Sequence, residues 1–189
     1  YKLLARQVAA NMGCTASFLP KPISGINGSG MHTNLSLARS GENTFFSESG
    51  RDHFSDSGWD FVDRLLSNAK EISLTLNSSV NAFRRLDPHF EAPNQIKCSA
   101  VDRTAMIRIP LGNRKTARME VRTVAPDINP YLAFYTLLRT GLEGVKDSSI
   151  TPDTRSSRKE FLQGDVYEAI SDFRKSSFMK EIIGEEVLE

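Results

Sequence analysis

Lys21-Pro22-Ile23-Ser24-Gly25-Ile26-Asn27-Gly28-Ser29-Gly30-Met31-His32-Thr33-Asn34-Leu35-Ser36 is the stretch from which the rest of the chain can be placed. Pro22 and Gly25 keep its first half out of a helix. Asn27 to Gly30 then form a tight loop of small residues, which lets backbone N–H groups come close to an anion or a polar substrate. Met31 to Leu37 alternate in polarity and predict a strand. On it His32, Asn34 and Ser36 share one face, and Met31, Thr33 and Leu35 the other. A glycine loop thus feeds a strand that presents an imidazole, an amide and a hydroxyl in a row.

A second polar row lies downstream. If Thr116 to Thr123 form a strand, Arg118, Glu120 and Arg122 line one face, and Ala117, Met119 and Val121 the other. An Arg-Glu-Arg row by itself is an ordinary solvated face with weak ion pairs. Here Arg103 and Arg108 fall on the neighbouring predicted strand, and Arg84-Arg85 sit in a connection ahead of it. Guanidinium forks pair bidentately with carboxylate or phosphate, so arginines near the glycine loop would make a polyanion site. Glu120 cannot attract anions. Its use among arginines is to help hold a divalent cation through oxygen.

The remaining sequence frames these rows. The chain has 189 residues, with 24 Lys+Arg against 23 Asp+Glu and a net charge of +1, which gives no reason to expect nucleic acid or an anionic membrane as partner. Cys14 and Cys98 lack metal-ligand spacing and read as reduced thiols of a cytoplasmic protein rather than a disulfide. No segment reads as a signal peptide, and no run is long enough to span a membrane. The chain opens at Tyr1 inside a helical pattern, which reads as a fragment of a longer protein.

Tyr1 to Asn11 predict a helix stopped near Gly13, and Thr15 to Leu19 a short strand. Arg39 to Ser57 read as a hairpin-like surface excursion, and Gly58 to Leu76 as one amphipathic helix. Asn77 to Pro93 is a long connection with few apolar residues, the kind that is often functional. Ile96 to Pro110 alternate as strands do. Asn129 to Val145 are a helix with Pro130 at its start, and Arg158 to Glu189 two short helices broken near Gly164 and Ser176. Helices and strands without βαβ alternation predict an α+β fold, with an antiparallel sheet lining a cavity and helices on its other face.

The run from Lys21-Pro22 through Asn27-Gly28-Ser29-Gly30 to Met31-His32 and Ser36 resembles the ATP-region signature of the glutamine synthetase family. Arg85-Leu86-Asp87-Pro88-His89-Phe90-Glu91-Ala92-Pro93 looks like its mobile flap. Ser99 to Arg103 with Arg108-Ile109-Pro110 resemble its nucleotide strands. Arg118 to Arg122 and Asn129 to Ala133 resemble its closing strand and helix. The resemblance runs from about Tyr1 to Gly144 in the same motif order. It implies that residues 1–189 are the C-terminal portion of a catalytic domain, lacking the N-terminal β-grasp domain and upstream catalytic strands.

By matching position, the resemblance implies that His32 and Glu120 are ligands of Mg2+ or Mn2+. Asn27, Gly28, Arg85 and Arg122 would bind glutamate. Glu91 would position and deprotonate ammonium, and Arg103 would stabilise the transferring phosphoryl group. Asn34, Ser36, Arg103, Arg108, Lys115 and Arg118 would contact ATP. The activity implied is ATP-dependent ligation of glutamate and ammonia, in a ring-shaped homo-oligomer whose neighbours share sites. Departures are Asn34 where a second His is common, Phe90 where Tyr is common, and no Tyr between Val145 and Leu162 for adenylylation. A ligase for another amine and a non-catalytic nucleotide-binding or assembly homologue are the alternatives.

Overall fold

The computed structural model describes residues 1–90 and 92–187. Its main sheet has four strands, numbered in chain order: β1 (Thr33–Leu35), β4 (Gln95–Ser99), β5 (Ala105–Arg108) and β6 (Met119–Val121). Their order is β1-β6-β5-β4, with β2 (Ala38–Arg39) and β3 (Glu42–Asn43) paired apart. The surface excursion expected over Arg39 to Ser57 is only in part a hairpin, because Phe45 and Phe54 turn into the core. The fold is α+β, but the sheet is mixed rather than antiparallel. β6 pairs antiparallel with β1 and β5, while β4 and β5 run parallel.

A short link between strands ordinarily makes a hairpin. Residues 100–104 instead double back along β4, so that Gln95 aligns with Ala105. Side chains make this possible. Ser99 Oγ accepts from the N–H groups of Val101 (3.2 Å) and Asp102 (3.0 Å), and Asp102 Oδ1 accepts from Thr104 N–H at 2.8 Å. Alternation in sequence fixes which face a residue takes, not the direction of its strand.

Seven α-helices are described. The first, α1 (Lys2–Asn11), buries none of its residues and stops where Gly13 takes φ +69°. The stretch expected as a strand at Thr15 to Leu19 is irregular; among the described residues no strand pairs with it. The single helix expected over Gly58 to Leu76 is two, α2 (Asp56–Ser67) and α3 (Ala69–Leu76). They part at Asn68, whose amide nitrogen donates to Arg64 O (2.7 Å) and, across the molecule, to Val145 O (2.8 Å).

The expected structureless connection also holds a helix, α4 (Val80–Arg85). Ser79 caps it by accepting from Ala82 N–H at 3.0 Å, and Ala82, Phe83, Arg85 and Leu86 are buried, which fixes it against the sheet. α5 (Pro130–Glu143) is capped by Asn129 and crosses α2 so closely that Phe61 fills the place of a side chain at Gly141. α6 (Val166–Lys175) and α7 (Ser177–Ile183) meet at Ser176, which caps α7. One apolar core joins Ile107, Met119 and Val121 of the sheet to Phe61, Leu65, Ile72 and Leu137 of the helices. Among the described residues no helix is long and apolar enough to cross a membrane. Cys14 is exposed and Cys98 buried, both unpaired thiols.

Candidate functional site

The alternation read from sequence holds on β1: His32, Asn34 and Ser36 are exposed and Thr33 is buried between them. Register then supplies what sequence could not. Asn34 pairs with Glu120 on β6, and Glu120 with Arg108 on β5, so these side chains stand in one row across the sheet. His32, just ahead of β1, joins the row: its Nδ1 lies 2.9 Å from Glu120 Oε1. The other carboxylate oxygen, Oε2, lies against Arg108 Nε in an ion contact rather than an aligned hydrogen bond. Glu120 is 6% exposed and has both oxygens engaged by nitrogen.

Burial pushes the His32 imidazole below its ordinary pKa of 6.5; Glu120 pulls it back up, and Arg122 and Arg85 push it down again. A neutral imidazole beside a carboxylate is the protonation state a metal ligand needs. Among the described residues, no group of three or more His, Cys, Asp and Glu side chains gathers around any point. Within the described residues His32 and Glu120 thus stand as a pair, with no third such side chain beside them.

A cavity of about 370 Å³ opens in front of His32. Asn27, Gly28, His32, Arg85, Arg103 and Arg122 all line it, drawn from the glycine loop, α4, the loop after β4 and the end of β6. Gly30, Phe90, Ala92 and Pro93 complete the wall. Of these, Phe90, Ala92 and Pro93 lie inside the segment singled out in sequence, although no role attached to them individually.

Arg85 explains the glycines. Its side chain runs beneath the loop. A Cβ at Gly30 would stand 2.4 Å from its Nη2, and one at Gly28 3.0 Å from its Cγ and 2.4 Å from Pro20 O. The guanidinium donates to three backbone carbonyls just past β6: Nη2 to Arg122 O (2.9 Å), and Nη1 to Thr123 O (3.0 Å) and Val124 O (3.3 Å). Burial, aided by Arg122, brings its pKa down to about 10. Arg122 is itself lowered, chiefly by burial, and donates through Nη1 to Arg103 O. Three arginines and a neutral histidine thus border one small cavity, with Arg85 tied to backbone and Arg122 to the loop that carries Arg103.

The remaining expected residues lie outside this cavity or outside the described residues. Arg118 Nε donates to Asn34 Oδ1 at 3.0 Å, so the amide standing where His is common orients an arginine. Ser36 is exposed beyond it, and Arg108 faces Glu120. Lys115 is exposed in the turn after β5, where its N–H donates to Asn113 Oδ1 at 2.9 Å. Glu91 lies outside the described residues. Sequence reasoning missed Asn81, whose side-chain amide bonds both backbone groups of Lys21 (2.7 and 2.9 Å) and so pins the glycine-loop stem to α4. Asn before Ala-Phe-Arg-Arg carries no signal of that partner, 60 residues away.

A family model described as the catalytic domain of glutamine synthetase matches residues 1–189. Proteins named glutamine synthetase from Clostridium saccharobutylicum, Methanosarcina mazei and Thermus thermophilus are each 37% identical to the chain over 99% of its length. The match covers 45% of each of those relatives, so the chain spans less than half their length.

Proposed function

The chain belongs to the glutamine synthetase family, and from that premise we propose that it carries the C-terminal part of the catalytic site of an ATP-dependent ligase. That ligase joins glutamate and ammonia to make glutamine. The observation that carries the reading is the 370 Å³ cavity, in which Asn27, Gly28, His32, Arg85, Arg103 and Arg122 meet from four separate segments. Arg85 has a structural use there, but the convergence of Arg103 and Arg122 with His32 and the glycine loop on one cavity suits an anionic substrate.

The residue types suit the reaction. A carboxylate is a poor acylating agent until an oxygen of it takes the γ-phosphoryl group of ATP and ADP leaves. Ammonia then attacks the acyl carbon of the γ-glutamyl phosphate, and phosphate departs. Asn27, Gly28 and Arg122 hold glutamate, with Arg85 adding positive charge from beneath the loop. Arg103 stabilises the phosphoryl group in flight, where its charge is spread over the equatorial oxygens. Glu91 accepts the proton that ammonium must lose. Asn34, Ser36, Arg108, Lys115 and Arg118 contact the nucleotide along the sheet face.

The donor set at His32 and Glu120 fits a hard divalent cation, Mg2+ or Mn2+, in part: one buried carboxylate and one neutral imidazole. When bound, such an ion neutralises phosphate charge. The further ligands come from outside these 189 residues, from the longer protein or a neighbouring subunit of its ring. The isolated 189 residues are accordingly expected to be inactive.

The test is glutamine formation from glutamate, ammonium and ATP by the full-length protein, with Glu120→Ala beside it. The reading expects ATP-dependent turnover that Glu120→Ala abolishes. Absence of turnover in the full-length protein, or an active Glu120→Ala variant, overturns it.

A further inference from the structure

We propose that Lys21 is a positioning residue that holds the Phe90 ring in place as one wall of the site cavity. The inference rests on the site reading above for its link to catalysis, but not for the contact itself.

Lys21 is fixed at both ends. Asn81 Oδ1 accepts from its backbone N–H at 2.7 Å, and Asn81 Nδ2 donates to its carbonyl at 2.9 Å, so its stem has one register against α4. At the other end, the ammonium donates to the Ile26 carbonyl across the glycine loop and stands 3.5 Å from the centroid of the Phe90 ring. Among the described residues no carboxylate forms an ion pair with it. The nearby Asp87 is taken by His89, whose N–H and Nδ1 lie 2.9 and 2.7 Å from Asp87 Oδ1. The ammonium is thus shared between the Ile26 carbonyl and the ring face, with Asp87 adding charge attraction but no ion pair, and a cation close over an aromatic face is attracted by the ring quadrupole.

Phe90 is placed where this matters. It lines the site cavity, and it also lines a second, larger cavity of about 770 Å³ that Lys21 itself borders. The ring is a partition between the two, gripped by Lys21. If it swings away, the site cavity loses its wall next to Ala92 and Pro93. Among the described residues, the short turn that carries it, Pro88–Phe90, has few other contacts: Pro88 and His89 are exposed, and the Phe90 N–H is met by Asp87 O within the same turn.

The full-length protein tests this with Lys21→Met, which keeps the stem and the backbone clamp, and with Phe90→Leu, their double variant, Lys21→Arg and Phe90→Tyr. Amide exchange at residues 86–90 is followed without substrate, with β6 amides as the reference. Lys21→Met and Phe90→Leu are each expected to speed exchange there about five- to tenfold, the equilibrium worth of one partly desolvated contact. The double variant should exceed neither single one, and Arg at 21 and Tyr at 90 should restore protection. In turnover, Lys21→Met should raise KM for ammonium by a similar factor and leave KM for ATP within about twofold. Additive effects in the double variant overturn the contact. So does faster exchange confined to residues 24–30, which would assign the ammonium to the Ile26 carbonyl alone. Coupled exchange with an unchanged KM for ammonium overturns the link to the site. Because exchange needs no turnover, failure of the ligase reading itself is separately visible as absent glutamine formation.

Discussion

Arg85→Met sets the price of the strut beneath the glycine loop. Its guanidinium makes three hydrogen bonds to carbonyls, and bonds from a charged donor are worth about 1.5–3 kcal/mol each. Against that stands the cost of burying the charge. The fall in pKa from 12.5 to about 10 corresponds to about 3 kcal/mol in favour of the neutral form. The bonds win, and the net loss on substitution is about 3 kcal/mol, or about 6–12 °C in Tm for a chain of this size. Equilibrium urea unfolding measures it. The same geometry sets a sharper condition. An Ala at Gly30 would place its Cβ 2.4 Å from Arg85 Nη2 and must displace the guanidinium, whereas a methionine thioether can yield. The double variant Gly30→Ala/Arg85→Met should therefore be less destabilised than the sum of the singles by more than about 1 kcal/mol. A loss under about 1 kcal/mol for Arg85→Met alone, or strict additivity in the cycle, refutes the strut.

Stability should also report on His32. Burial holds its folded pKa below 6.5, so as pH falls from 7 the unfolded chain takes up the proton first and stability drops, until the folded pKa too is passed. His32→Asn should flatten the urea midpoint between about pH 7 and 5; an unchanged slope contradicts the assignment. Asp63 and Arg155, 3% and 8% exposed, are joined by two hydrogen bonds of 2.6 and 2.8 Å, with Arg155 over the Trp59 ring. Asp63→Ala should cost about 3–5 kcal/mol in the same assay because it strands a buried guanidinium, and Asp63→Leu/Arg155→Met should recover most of it. Equal losses in the single and double variants contradict this account.

What sequence conveyed and what it withheld divide along a physical line. The strands at 31–37 and 116–123 were legible because polar and apolar residues alternate there, and a buried face enforces that alternation. The polar row built on them was legible only as two separate rows. That Asn34 meets Glu120, and Glu120 meets Arg108, is a matter of register, which no local pattern states. The break at Asn68 depends on a carbonyl at Val145, and the parallel run of β5 on how Ser99 and Asp102 spend their oxygens. The connection from Asn77 to Pro93 was misjudged for a related reason. A scan for apolar anchors counts Arg85 as polar and therefore as surface. Yet an arginine can be buried where carbonyls wait for its donors and offset the cost of its charge, and the end of β6 offers three. The same side chain that reads as a reach toward substrate is thereby part of what fixes α4 against the sheet. The glycines at 28 and 30, read as room for a ligand, are also room for Arg85.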